Sequence, residues 1–131
     1  MRFLKFLVFV LLVVPALAVA SQDADFLAAR DAFRVGDVVK LNRMAMRLKH
    51  SPLEPYLTYY QLRLRLETAS ATDIQAFLAR PDDTPLINQL RGEWLRLLGK
   101  RQQWEEFAVQ YPLLVGGEVD LTCYGLQSRQ R

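Results

Sequence analysis

The sequence contains few of the residues that build metal, disulfide or phosphate sites. It has one cysteine, Cys123, and one histidine, His50, in 131 residues. A lone cysteine cannot form an internal disulfide, and one histidine leaves a zinc cluster or a Ser-His-Asp set with too few members. No run of glycines has the spacing of a phosphate-binding loop. We therefore expect no metal site and no cofactor.

The chain also lacks a concentrated basic region, although it has 17 Lys and Arg against 14 Asp and Glu. Two of the basic residues, Arg2 and Lys5, lie in the first twenty residues, and without them 15 remain against 14 acidic residues. These 15 are interleaved with acidic residues rather than clustered along the sequence. Such a pattern argues against a nucleic-acid partner.

Residues 1–20 have the pattern of a secretory signal peptide. A positive start, an apolar run, a proline and a small-residue exit follow in that order, at Arg2 and Lys5, residues 6–14, Pro15, and Ala18 to Ala20. We expect cleavage after Ala20, with Ala18 as the alternative. The competing interpretation is a retained anchor, but an anchor needs about 20 apolar residues and Pro15 interrupts this run. We therefore expect a periplasmic protein that meets the membrane only during export.

Residues 21–131 lack strand-like alternation, and their apolar positions recur at helical spacing. An all-α fold is therefore predicted. Asp23 and Asp37 are expected to cap the first two helices, with Gly36 ending the first of them. A third helix is expected over about residues 56–69, and Ser70 or Thr72 should cap a fourth that stops before Pro81.

Three further helices are expected in the last third of the chain. Thr84 and Pro85 occupy cap and first-turn positions for a helix over about residues 86–98 that ends at Gly99. Another is expected over about residues 102–110, and a last one begins near Glu118. Cys123 should lie on that last helix as a small buried residue.

The glycines at the ends of two helices indicate a repeat. Gly36 and Gly99 are 63 residues apart, with one proline-opened hairpin between them. That distance corresponds to two steps of about thirty residues, which is the period of helical-hairpin repeats. Such hairpins bury their apolar faces by stacking on their neighbours. Residues 21–131 are thus predicted to form an α-superhelix that is incomplete at its C-terminus, and an ordinary helical bundle is the alternative.

Several short motifs resemble the N-terminal superhelical domain of soluble lytic murein transglycosylases of Gram-negative bacteria. The resemblance runs from about residue 26 to the end of the chain and depends on the order and spacing of these motifs. Its carriers are residues 29–37 (ARDAFRVGD), 52–57 (PLEPYL), 60–62 (YQL), 77–80 (FLAR), 84–86 (TPL), 90–95 (LRGEWL), 98–100 (LGK), Trp104, Phe107, 111–112 (YP) and 121–124 (LTCY).

The resemblance implies a function that these residues alone would not perform. Members of the family have a ring of helical hairpins followed by a lysozyme-like domain that cleaves peptidoglycan between N-acetylmuramic acid and N-acetylglucosamine, leaving a 1,6-anhydro product. Catalysis there uses a glutamate in a Glu-Ser motif, and no glutamate of this sequence precedes a serine. We therefore expect peptidoglycan contact through a full-length enzyme, and no catalytic residue in this chain.

Two glutamates and a set of helix-face residues are the remaining candidates. Glu93 lies beside Trp94, and because consecutive helical residues point about 100° apart, a buried Trp94 would leave Glu93 near the surface. Glu118 is the second glutamate to test. The alternative function is a periplasmic helical-repeat adaptor that binds a protein partner through inner-face residues, for which the candidates are Tyr59, Arg63, Arg65 and Asn88. The helical spacing favours a core position for the aromatic residues.

Overall fold

A computed structural model of the chain describes residues 20–81 and 84–131. The predicted leader up to residue 19, as well as Asp82 and Asp83, lies outside the described residues. The described helices are α1 (residues 20–35), α2 (Val38–Arg47), α3 (Glu54–Leu64), α4 (Ala71–Leu78), α5 (Pro85–Lys100), α6 (Trp104–Gln110), a 3-10 helix (Tyr111–Leu113) and α7 (Val119–Ser128). No strand occurs in these two ranges, so the all-α prediction is confirmed.

The chain divides into two compact units, Met1–Leu64 and Arg65–Arg131. The first contains α1, α2 and α3, and the second contains α4 to α7. None of the helices in the described ranges is long and apolar enough to cross a membrane.

The α1–α2 hairpin of the first unit ends α1 with a Schellman turn. Gly36 has a φ of 74°, a left-handed conformation that glycine adopts without a steric penalty. Its N–H donates to the carbonyl of Phe33 at 3.2 Å, and the N–H of Asp37 donates to that of Ala32 at 2.8 Å. Asp37 then caps α2, because its side chain accepts a hydrogen bond from the N–H of Lys40 at 2.9 Å. Both sequence predictions for this turn are confirmed.

The core of the first unit is a cluster of apolar side chains from all three helices. Its buried members are Ala29, Ala32, Leu41, Met44, Leu48 and Leu57. Aromatic rings cover one side of this cluster, and the rings of Phe33 and Tyr60 stack with centroids 4.4 Å apart. An ion pair of 3.2 Å between Asp25 and Arg47 joins the outer ends of α1 and α2. Leu41 and Met44 thus form the inner face of α2, whereas Val38 at its start is exposed.

Two helix limits in the first unit differ from the predictions. Asp23 does not cap α1, because the helix already includes Ala20. The third helix ends at Leu64 instead of near residue 69. Beyond it the Arg65 carbonyl accepts hydrogen bonds from the N–H of Thr68 at 2.9 Å and from the Thr68 hydroxyl at 3.2 Å. A threonine hydroxyl that bonds to a nearby carbonyl competes with the helical ladder.

In the second unit the predicted N-terminal caps of α4 and α5 are confirmed. The Ser70 hydroxyl accepts a hydrogen bond from the N–H of Asp73 at 3.1 Å. The Thr84 hydroxyl accepts one from the N–H of Leu86 at 3.3 Å, and Pro85 occupies the first turn of α5. Both caps satisfy donors that have no partner within the helix.

Gly99 does not end α5, contrary to the sequence prediction. The helix continues to Lys100, and the left-handed residue is Gln102, with a φ of 57°. The N–H of Gln102 donates to the carbonyl of Gly99 at 3.1 Å, and that of Gln103 donates to Leu98 at 3.0 Å. This is the same Schellman pattern as at Gly36, with a non-glycine residue in the strained position. The next helix therefore begins at Trp104 and not at residue 102.

Gly99 is instead a close-packing position under an aromatic ring. A Cβ at this residue would lie 2.6 Å from Cγ of Tyr124 and 2.8 Å from each Cδ. A second glycine, Gly125 on α7, lies equally close to the ring of Tyr111. Phe107 joins the two rings, with its centroid 5.3 Å from that of Tyr111 and 6.5 Å from that of Tyr124. These contacts hold α7 against α5 and α6.

Candidate functional site

The second unit contains an open groove between α5 and the segment that leads into α7. It has a volume of about 360 Å³. Asn88, Gly92, Glu93 and Arg96 line it from α5, and Leu114 to Glu118 with Leu121 line it from the opposite side. Gly92 forms part of the floor, where an added Cβ would meet only Leu114 and Leu121 at ordinary contact distances of 3.7 and 4.0 Å.

Asn88 fixes one wall of this groove. Its Nδ2 donates to the carbonyl of Val115 at 2.8 Å, and its Oδ1 accepts from the N–H of the same residue at 2.8 Å. A side-chain amide that pairs with both groups of one residue holds that backbone in a single orientation. Asn88 was one of the candidates for a peptide-binding face, but its amide is engaged by this segment of its own chain.

Arg91 fixes the same segment from the next turn of α5. Its Nε donates to Oε1 of Gln110 at 3.4 Å, and a terminal nitrogen donates to the carbonyl of Leu113 at 3.2 Å. Burial lowers the pKa of Arg91 below its usual value, because a less polar environment disfavours the charged form. Arg91 therefore supports the connection between α6 and α7.

Arg96 holds the N-terminus of α7 through two carboxylates. Its nitrogens lie 2.8 Å from Oε2 of Glu118 and 2.8 Å from Oδ2 of Asp120. The hydrogen bond to Asp120 is the main cause that raises the pKa of Arg96. The hydrogen bond from Arg96 is likewise the main cause that lowers the pKa of Asp120. Acidic groups at this helix end also interact favourably with the helix dipole.

Glu93 and Glu118 line the same groove, but they do not form an acid-base pair of a lysozyme type. A general acid of that kind needs a pocket that removes it from water. The Glu118 side chain is 78% exposed and is bound to Arg96. Glu93 is partly exposed beside Trp94, which is buried as its helical position requires. Glu118 is therefore exposed and ion-paired, whereas Glu93 is partly covered at the wall of the groove.

The remaining candidates for a protein-binding face lie in the core or interact with other groups of the protein itself. Tyr59 is buried, in agreement with the expected core position. Arg65 pairs with Asp73 at 3.3 Å. Arg63 is exposed on α3 and takes part in an interaction within the protein. Tyr59, Arg65 and Asn88 are thus accounted for by packing or internal bonds.

Cys123 is exposed, so the prediction that it would be buried is wrong. The buried side of α7 consists of Leu121 and Gly125, with Tyr124 partly covered, and the helical rotation places Cys123 outside that face. It lies at a shallow hollow that Arg96 and Lys100 of α5 also line. These neighbours are more than twenty residues away in sequence, so local spacing could not indicate them.

Within the two described ranges, no three His, Cys, Asp or Glu side chains come together as a metal-binding group. His50, the single histidine, lies exposed in the turn after α2. Comparisons with models of protein families, with curated proteins and with solved structures gave no match.

Proposed function

We propose that this chain is the periplasmic N-terminal scaffold of a soluble lytic murein transglycosylase, and that peptidoglycan cleavage belongs to a catalytic domain outside these residues. The proposal begins from the motifs of residues 29–37, 90–95 and 98–100 that resemble that family. It assigns the chain a structural role, in which helical hairpins support and position the cleaving domain.

The observation that carries the proposal is the repeated hairpin turn. In the first unit α1 ends at left-handed Gly36, and a new helix follows within two residues. In the second unit the turn after α5 has left-handed Gln102, and a new helix again follows within two residues of it. Both turns make the same pair of backbone hydrogen bonds. A recurring hairpin supports the proposal of helical-hairpin repeats, a class of fold in which each repeat buries its apolar face against the next.

The groove of the second unit also favours a structural role over a catalytic one. Asn88, Arg91 and Arg96 all direct their polar groups at the segment from Leu113 to Asp120. Preorganised catalytic groups would instead point toward a space that a substrate can occupy. The polar residues of this groove therefore brace α7.

The test is a murein digestion with the exported chain, followed by mass spectrometry for anhydromuropeptides. We expect no anhydro product from a protein that circular dichroism confirms as helical, and we expect the same protein to sediment with insoluble murein sacculi. Anhydro product that disappears in the Glu93→Gln or Glu118→Gln variant would contradict the scaffold proposal. A folded protein that neither cleaves nor binds murein but cross-links to a periplasmic protein would favour the adaptor function instead.

A further inference from the structure

The outward half of α2 combines positive charge with protruding apolar side chains. We name it the basic face, and it consists of Val39, Lys40, Arg43 and Met46 of α2 with Lys49 of the turn that follows. Lys40, Arg43 and Lys49 are exposed and form no ion pair with the described residues. No acidic residue occurs between Val38 and His50. Among the described residues, no acidic side chain therefore pairs with these three basic side chains, two of which lie on α2 and one in the turn that follows it.

Two aliphatic side chains project from the middle of this face. Val39 is 71% exposed and Met46 is 79% exposed. They are seven residues apart, so they lie within about 20° of each other around the helix axis. The buried residues Leu41, Met44 and Leu48 occupy the opposite side of α2. The apolar pair therefore adds nothing to the core and faces outward among the cations.

The hairpin turn between α1 and α2 also exposes aliphatic and basic side chains. Val35 at the end of α1 is 80% exposed, and Val38 at the start of α2 is half exposed. Arg34 beside them is exposed as well. Binding to an anionic bilayer uses two kinds of contact, and exposed aliphatic residues near lysine and arginine can make both. The cations bind the anionic headgroups, and the aliphatic side chains enter the boundary between the headgroups and the acyl chains.

We propose that the basic face of α2 binds the surface of an anionic lipid bilayer, with Val39 and Met46 inserted between the headgroups. The charge complementarity comes from Lys40, Arg43 and Lys49. The proposal does not depend on the scaffold function, since it concerns a surface of the first unit alone. It assigns a role to the basic residues between positions 38 and 50, where no acidic residue interrupts them as elsewhere in residues 21–131, and it extends membrane contact beyond the export step expected from the sequence.

The experiment is co-sedimentation of the exported protein with vesicles of phosphatidylcholine, with or without phosphatidylglycerol. Mass spectrometry of the protein first establishes which N-terminus it carries. We expect binding only to the vesicles that contain phosphatidylglycerol, and we expect added salt to weaken it because salt screens exposed charges. Equal binding to both kinds of vesicle would overturn the proposal.

Charge-reversal variants locate the binding surface. The change Lys40→Glu with Arg43→Glu should weaken binding by at least about 25-fold, because each basic residue near an anionic membrane contributes about fivefold. The matched control is Arg129→Glu with Arg131→Glu, which makes the same charge change at exposed positions after α7. The control should retain most of the binding. If the two double variants bind equally, the basic face of α2 is not the site.

An apolar variant separates a bilayer from an acidic protein partner. The change Val39→Ser with Met46→Ser should weaken vesicle binding by about tenfold or more, since burial of aliphatic side chains of this size is worth at least that factor. Val109→Ser is the control, at an exposed valine of α6. Binding to soluble polyglutamate that equals vesicle binding, together with no effect of the Val39 and Met46 change, would overturn the lipid proposal in favour of an acidic protein. Circular dichroism of each variant checks that it is folded.

Discussion

The contact between Gly99 and Tyr124 predicts that Gly99→Ala destabilises the second unit. The added methyl group would lie 2.6 Å from Cγ of Tyr124. That carbon is the root of the ring and not its movable end, so α7 itself must shift. Overpacking of this kind costs about 1–3 kcal/mol. Alanine also stabilises a helix interior by about 1 kcal/mol relative to glycine. The expected net loss in the free energy of unfolding is therefore about 1 kcal/mol.

A double-mutant cycle with Tyr124→Ala isolates the steric contribution. Without the ring, Gly99→Ala should increase stability by about 1 kcal/mol, because only the helix propensity remains. The coupling between the two positions should thus be about 2 kcal/mol, within the range measured for residues in contact. Urea unfolding followed by far-UV circular dichroism gives the four free energies.

The control for this cycle is Gly117→Ala. A Cβ at Gly117 would meet nothing within 4 Å, so its replacement should change stability by no more than about 0.5 kcal/mol. The reasoning is refuted if Gly99→Ala stabilises the protein that retains Tyr124, or if the coupling energy is zero. Either result would mean that α7 does not pack on Gly99.

Three further changes test separate parts of the structure. Gln102→Gly should stabilise the second unit by about 0.5–1 kcal/mol, because the steric energy of a left-handed non-glycine residue is larger than the entropic cost of glycine in the unfolded chain. A lower urea midpoint for this variant would contradict the left-handed conformation of Gln102. Asn88→Ala should cost about 0.5–1.5 kcal/mol by removing its exposed hydrogen bonds to Val115, whose groups water can then reach, and should speed hydrogen exchange at the Val115 amide, whereas Gln89→Ala should leave that exchange unchanged. Burial raises the pKa of Tyr60 above 10.0. The unfolded chain therefore ionises at a lower pH than the folded one, so the contribution of Tyr60 to the free energy of unfolding is complete below pH 10 and decreases as the pH rises further. Tyr60→Phe should flatten this fall in urea titrations, and an unchanged slope would assign it to other groups.

Local chemistry in the sequence predicted most of the helix starts in the described chain. Asp37, Ser70 and Thr84 all cap the helices that they were expected to cap. The reason is that a cap depends on residues within three positions of one another, and the preference for short polar side chains there is strong. Asp23 failed as a cap because α1 begins before it.

The candidate site was less accessible to sequence reasoning. The pairs that build the groove join residues more than twenty positions apart, as in Arg96 with Asp120 and Asn88 with Val115. No periodicity or motif connects such pairs. The exposed position of Cys123 was missed for a similar reason, because the burial of α7 depends on which side meets α5.

The sequence by itself determined that the described chain is helical, where most of its helices begin, and that α1 and α2 form a hairpin closed by Gly36. These features follow from propensities, caps and a glycine that adopts a positive φ, all of which act over a few residues. Only the tertiary structure decided the role of Gly99, which local rules assign to a helix end. A side chain at position 99 would collide with the ring of Tyr124, and α5 continues past Gly99 to a turn at left-handed Gln102. Packing between distant helices outweighed a local preference of about 1 kcal/mol.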